Sequence, residues 1–218
     1  MDKNKIAIST YEKIAHKYSD KYFNDLTDIP YIDKFLKNIP SKGRILDIGC
    51  GPGQFSQYIA KKGFHVIGLD YSREMIEIAR AKVPEVEFKY MDMRNLEFEE
   101  NSFDGILAAY SLIHISSENI LDTLKEFNKV LKPSGYIEII VQKGEADRVI
   151  DEPFMPSEKM FFNFFTKARL SKYLREANFQ ITYQSETASQ DSDSMSDKVI
   201  YTIAQKGSAV FSRSSYPT

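Results

Sequence analysis

The stretch Ile45–Gly53 reads Ile-Leu-Asp-Ile-Gly-Cys-Gly-Pro-Gly, and it restricts the fold more than any other part of the chain. Its first half is short, apolar and β-prone, as a buried parallel strand should be. Its second half places glycines at positions 49, 51 and 53. Alternate glycines let the backbone turn through positive φ and keep side chains out of the space above the main chain. One glycine would serve a plain strand-to-helix turn. Three at this spacing point to a nucleotide-like ligand at the carboxyl end of a strand in an open α/β sheet.

Spacing then separates two ligand classes. The dinucleotide fingerprint G-x-G-x-x-G needs a glycine where this chain has Gln54. The actual third glycine is Gly53, giving G-x-G-x-G with Asp47 two residues before it. This nonamer resembles the first motif of the class I S-adenosylmethionine-dependent methyltransferases. The resemblance implies a loop that cradles the methionine part of S-adenosylmethionine, with Asp47, Gly49, Cys50, Gly51 and Gly53 as its residues. It also implies an α/β, Rossmann-like fold: a seven-stranded, mostly parallel sheet with the last strand antiparallel, helices on both faces and an N-terminal helical lid.

Later strand tips agree with that reading. Strand 65–69 ends in Asp70, 19 residues after Gly51, close to the ~20 expected of an acid that takes a ribose. Dinucleotide sites use the same acid, so Asp70 supports a ribose without choosing between the two cofactors. Ser72 is the expected N-cap of a helix reaching Ala81. Tyr71 joins the cofactor residues, and Met75 matches a family methionine near the adenine. Strand 86–90 leads into Asp92-Met93, which resembles the family's adenine site. There Asp92 would accept from the exocyclic amine and the Met93 N–H would meet a ring nitrogen. Strand 103–109 ends at Ala109-Tyr110-Ser111, where Ala109 and Tyr110 are expected to complete the cofactor site. The Asn/Asp-Pro-Pro-Phe/Tyr motif of amino- and base-methylating relatives is missing there, which disfavours planar amines of bases or glutamine as acceptors. Lys132-Pro133-Ser134-Gly135 matches the family's Leu-Lys-Pro-Gly-Gly turn before strand 136–141.

The two ends of the chain are expected to meet the acceptor. Residues 5–22 read as an amphipathic helix, with Tyr11, Ile14, Ala15, Tyr18 and Tyr22 on one face. Tyr11-x-x-x-Ala15-x-x-Tyr18 resembles the cofactor-covering helix of small-molecule methyltransferases. A second helix is expected over 29–39. The segment 142–165 carries an aromatic cluster including Phe154, Phe161, Phe162 and Phe164. It suggests an apolar or partly aromatic acceptor; covering of the sheet edge is the other reading. Helices over 117–131 and up to Ala177, then a strand pair at 179–183 and 199–204, complete the fold. The basic residues Lys167, Arg169, Lys172 and Arg175 read as a solvated helix face, and Ser185–Asp197 as a turn. Catalytic candidates are His114, Tyr18 and Tyr110; an imidazole titrates near neutrality. The expected organisation is one methyltransferase domain over 1–206, with 1–40 as lid, 142–165 as a substrate-side insert and 207–218 as a tail.

Composition narrows the function classes. In 218 residues, 42% are hydrophobic and 28% charged, as in an ordinary globular protein. A formal charge of −2 gives no global attraction to nucleic acid or to an acidic membrane. Cys50 is the single cysteine, which fits a reducing, cytoplasmic setting. No signal-like or membrane-length apolar run is found, and no metal is expected. The expected activity is methyl transfer from S-adenosylmethionine to a small molecule, leaving S-adenosylhomocysteine. The alternatives are an RNA or protein methyltransferase, a nicotinamide-dependent oxidoreductase disfavoured by the glycine spacing, and a non-catalytic S-adenosylmethionine-binding protein.

Overall fold

A computed structural model of the protein describes residues 3–189 and 196–208. At its centre is β1 (Arg44–Ile48), whose last four residues are buried. It pairs in parallel with β2 (His65–Asp70) on one side and β4 (Phe103–Ala109) on the other. β3 (Glu87–Tyr90) extends the sheet beyond β2, and β5 (Leu131–Gln142) extends it beyond β4, both in parallel. β9 (Lys198–Lys206) runs antiparallel to β5, and β8 (Phe179–Ala188) antiparallel to β9. The order is β3-β2-β1-β4-β5-β9-β8. This is the expected seven-stranded sheet, with the last strand reversed and set inside the edge.

Strand alternation divides the core into two layers. Ile45, Leu107, Ile140 and Ile203 face α2 (Ile29–Leu36), α3 (Gln54–Lys61) and α4 (Arg73–Lys82). Leu46, Ile106, Ile139 and Ala204 face α5 (Ile120–Val130) and α6 (Lys167–Glu176). The helix boundaries have local causes. Gly53 (φ +91°) starts α3 in a left-handed conformation, and Gly63, also at +91°, ends it. The Ser72 hydroxyl accepts from the Met75 N–H at 3.2 Å, and Thr166 accepts from Arg169 at 3.1 Å.

Four regions differ from the sequence reading. In α1 (Lys3–Tyr22) the buried face is Ala7, Thr10, Ile14, Ala15 and Ser19; Tyr11, Tyr18 and Tyr22 are only half-buried. Small residues let the helix lie close, so its tyrosines line cavities and do not fill the core. The insert forms a hairpin of its own, β6 (Arg148–Glu152) with β7 (Met155–Phe162). The turn at Lys132–Gly135 lies within β5, with Ser134 at φ 61° and a register shift against β4. Arg169 is no solvated residue: its guanidinium donates to the Phe164 carbonyl at 2.8 Å and to Asn163 at 2.9 Å, tying the hairpin's end to α6. Most of the tail, and positions 190–195 of the Ser/Asp stretch, lie outside the described residues.

α1 is strapped down on both sides. Thr10 donates to the Lys159 carbonyl at 2.7 Å, and Lys13 pairs with Glu158 at 2.8 Å, both on β7. On the other side Glu12 accepts from the Arg73 N–H at 2.6 Å. A carboxylate at the amino terminus of α4 meets unpaired N–H groups and the positive end of the helix dipole. Among the described residues no helix is long and apolar enough to cross a membrane.

Candidate active site

All the loops that follow β1, β2, β3 and β4 open on the same edge of the sheet, beneath α1. The glycine loop is bonded to the end of β2: Gly49 and Cys50 both donate to the Leu69 carbonyl, at 2.7 and 2.9 Å. Gly49 has φ 69°, and a Cβ there would lie 2.3 Å from Ser111 Cβ. Glycine is therefore what lets the tips of β1 and β4 approach. Gly51, at φ 52°, is different. A Cβ there would have only Tyr18 within 4 Å, so its neighbourhood is open space.

That space is a cavity lined by Gly49, Gly51, Asp70, Tyr71, Met75, Asp92, Met93, Ala109 and Tyr110, with Tyr18 and His114. Asp70 organises its floor. One carboxylate oxygen accepts from Gly51 and the other from Ser72, each at 2.9 Å. Burial pushes its carboxyl up to about 6. Asp92 is gripped by its neighbour Arg94, whose Nε is 3.1 Å from both carboxylate oxygens and whose terminal nitrogen is 2.7 Å from one. Tyr71 stacks on Tyr90 with ring centres 5.1 Å apart.

Three residues of the motif do not line the cavity. Asp47 is 1% exposed and accepts from the Ser56 hydroxyl on α3 at 2.6 Å; burial raises its carboxyl to about 7. It anchors the helix that the glycine loop feeds. Cys50 is buried in the layer under α3, its sulfur 3.1 Å from where a Cβ on Gly68 would lie. A Cβ on Gly53 would meet Phe88 at 3.0 Å, so this glycine serves packing as well as the left-handed turn.

A second cavity, of about 220 Å³, lies alongside and shares Tyr11, Tyr18 and Tyr110 with the first. Its other walls include Asp25, Thr27 and Asp28, the hairpin at Glu152–Phe154, Phe162, and Tyr201 on β9. Asp28 is 7% exposed and accepts from the hydroxyls of Tyr201 at 2.6 Å and Tyr110 at 3.2 Å. Glu152 is 4% exposed and accepts from the Phe154 N–H at 3.0 Å. Tyr110 sits at φ 53°, which turns its ring from the tip of β4 toward Asp28. Burial and the adjacent Asp28 raise its hydroxyl well above the usual range.

His114 is held between two partners. Nδ1 is 2.9 Å from the Phe161 carbonyl, which can only accept, so Nδ1 carries the proton. Nε2, 3.0 Å from the Tyr11 hydroxyl, is then the acceptor. Burial lowers the imidazole to about 4, so it is neutral at pH 7. Its one free lone pair is turned to Tyr11, one of the three tyrosines that face both cavities. The sequence reading placed Tyr11 on the lid but assigned it no site role. Asp28, Glu152 and Tyr201 were not singled out at all, and no spacing signal joins them.

Comparison with known proteins fits this arrangement. Residues 45–135 match the family described as a methyltransferase domain. A demethylmenaquinone methyltransferase of Staphylococcus saprophyticus is 32% identical over 133 residues, 58% of this chain and 54% of that one. A mouse protein named probable tRNA methyltransferase 9B is 33% identical over 136 residues, 61% of this chain and 28% of that one. The chain thus spans about half or less of the length of these curated relatives. Among solved structures, the 1,6-didemethyltoxoflavin N1-methyltransferase of Burkholderia thailandensis, with bound 1,6-didemethyltoxoflavin and S-adenosylhomocysteine, aligns with TM-score 0.73 at 20% identity. That alignment covers 92% of this chain and 87% of the other. The segment that carries the glycine loop and the tips of β2 to β4 thus matches a methyltransferase domain, and the fold around it is that of solved methyltransferases.

Proposed function

We propose that the protein transfers a methyl group from S-adenosylmethionine to a small-molecule acceptor. The observation that carries this reading is the pair of adjoining cavities at the carboxyl edge of the sheet, one on the glycine loop and one beside it. The first cavity suits the cofactor on two independent counts. The Ser111 hydroxyl on its wall is buried and bonded to no described residue, a polar group that a bound ligand would satisfy. The space over Gly51 would be filled by any side chain in its place.

In this reading Asp70 takes the ribose hydroxyls, Gly49 and Gly51 leave room for the methionine portion, and Tyr71 and Met75 flank the adenine. Asp92, whose carboxylate already accepts from Arg94, would also accept from the adenine amine. The bound sulfonium supplies an electrophilic methyl with a good leaving group. The protein's part is then positioning in line and exclusion of water, which can supply most of the acceleration. Tyr18, Tyr110 and Tyr11 form the wall where the two cavities meet. His114 keeps Tyr11 oriented and is engaged away from the acceptor, so it serves as a positioning residue and not as the base. The nearly balanced charge of the chain argues against a long nucleic acid as acceptor.

Calorimetry tests the cofactor half: heat with S-adenosylhomocysteine and none with NAD is expected, and the reverse would overturn it. Transfer of labelled methyl into the small-molecule fraction of a mixed metabolite and tRNA reaction tests the acceptor half. Label found only in tRNA would replace the small-molecule reading.

A further inference from the structure

We infer that the second cavity selects acceptors carrying a basic nitrogen, with Asp28 and Glu152 on its lining as the anionic anchors. The inference rests on the proposed methyl transfer for its setting, but its argument comes from the cavity itself. Asp28 and Glu152 are both more than nine-tenths buried, and both line this space. Neither forms an ion pair with a described lysine or arginine. Carboxylates this deeply buried are almost always paired.

Their hydrogen bonds leave the mismatch open. Both donors to Asp28 fall on the same oxygen, Oδ1, and the side chain caps no helix N–H. Glu152 receives one N–H on Oε1. Oδ2 of Asp28 and Oε2 of Glu152 therefore accept from no described residue. Gln54 adds an amide oxygen that is buried without a partner on the same lining. The cavity is thus rich in acceptors and asks for a donor with positive charge. Burial pushes both carboxyls up, and a cation bound against either would offset that cost.

The remaining wall suits the same guest. Tyr18, Tyr22 and Phe154 form an aromatic corner, with ring centres 4.6 to 6.4 Å apart. The Lys21 ammonium already rests on it, 4.8 Å from the Tyr22 centre and 5.6 Å from that of Phe154. Those distances lie within the range of a cation–π contact, so these rings accept a cation in this geometry. An amine borne on a small flat body would meet carboxylates at one end and aromatic faces along its length. This refines the expectation of an apolar or aromatic acceptor: the walls are aromatic, but the anchoring groups are acidic.

The test uses phenethylamine and tyramine against 2-phenylethanol, titrated by ligand-observed NMR into the full chain with and without S-adenosylhomocysteine. The amines are expected to bind at least tenfold more tightly than the alcohol. Glu152→Gln and Asp28→Asn should each remove about tenfold of that preference while the alcohol's affinity stays within about twofold. Glu152→Gln keeps the shape and the Phe154 bond, so it decides the matter even if Asp28→Asn fails to fold. An alcohol bound as tightly as its amine, an amine preference untouched by both substitutions, or no amine binding at all would overturn the inference. Failure of S-adenosylhomocysteine to bind while the amine preference persists would instead overturn the cofactor reading.

Discussion

The two cavities share three tyrosines yet are built in opposite ways. The floor of the first is made from consecutive strand tips between Gly49 and Ser111, shaped by the glycine backbone, while α1 residues from Asn4 to Tyr18 close it from above. The second is gathered from distant pieces of chain: Tyr201 reaches Asp28 across 173 positions, and Thr10 reaches Lys159 across 149. A site made by backbone turns depends on glycine and on short-range bonds. A site made by side chains from separate elements depends on how well those elements are strapped together. The first kind resists change in its surroundings but not in its own loop, and the second kind does the reverse.

The largest effect should therefore come from the loop. Gly49→Ala forces a left-handed residue and a Cβ 2.3 Å from Ser111 Cβ. Strain and overpacking together should cost about 4 kcal/mol of stability. Thermal unfolding would show this as a large fall in Tm, and a fall of under a degree or two would mean that the tips of β1 and β4 need no such close contact. Next comes Asp70→Ala, which removes the acceptor for Gly51 and Ser72 and the proposed ribose contacts. S-adenosylhomocysteine affinity should drop about a hundredfold, some 3 kcal/mol. Unchanged affinity would show that the ribose lies elsewhere, while amine binding in the second cavity should survive the substitution.

A third prediction concerns Glu138, close enough to Asp28 to feel its charge. Glu138 on β5 is fully buried beneath the α2 side of the sheet, and both its carboxylate oxygens lack a partner. Burial raises its carboxyl to about 8. A carboxyl whose folded value is raised favours the folded state only while protonated. Its contribution is whole below about 4.5, the ordinary glutamate range, and is lost as pH rises toward 8. Glu138→Gln should therefore match the wild type near pH 4.5 and exceed it increasingly above, by about 3 kcal/mol at pH 7. Denaturant titrations at pH 5, 6, 7 and 8 would read the trend, and a difference that does not grow with pH would refute it.

The same contrast explains how much was legible in the sequence. The first cavity sits on local signals: three glycines, an acid at the tip of β2 and a serine cap. The seven-stranded sheet is what the resemblance carried by those signals implies, and its strand order comes from the structure alone. Even there, Asp47 and Gly53 belong to a recognisable motif but serve helix anchoring and packing, because a motif records a loop's conformation without saying which side chains face the ligand. The second cavity left no such trace. Phe154 and Phe162 stood out only as part of an aromatic cluster, and the hairpin that positions them was hidden in a segment with two prolines and no clean period. Arg169 shows the same limit. Its helical spacing reads as solvent-facing, and only the fold brings Phe164 and Asn163 within its reach.

The smallest expected effect falls on the wall that the two cavities share. Tyr11→Phe keeps the ring, its edge contact with Tyr18 at 5.5 Å and its place in α1, but removes the hydroxyl that meets His114 Nε2. The imidazole stays neutral, since its burial is unchanged, and Nε2 becomes a buried acceptor with no donor. That should cost about 1–2 kcal/mol of stability. Because Tyr11 adds a wall and not a ligand contact to the first cavity, S-adenosylhomocysteine affinity should change by no more than about threefold. Methyl transfer should fall further than cofactor binding, in kcat more than in KM, if the hydroxyl sets the angle of the shared wall. Equal losses in cofactor binding and in turnover would place Tyr11 with the loop-built site, and the boundary between the two constructions would have to move to Tyr18 and Tyr110.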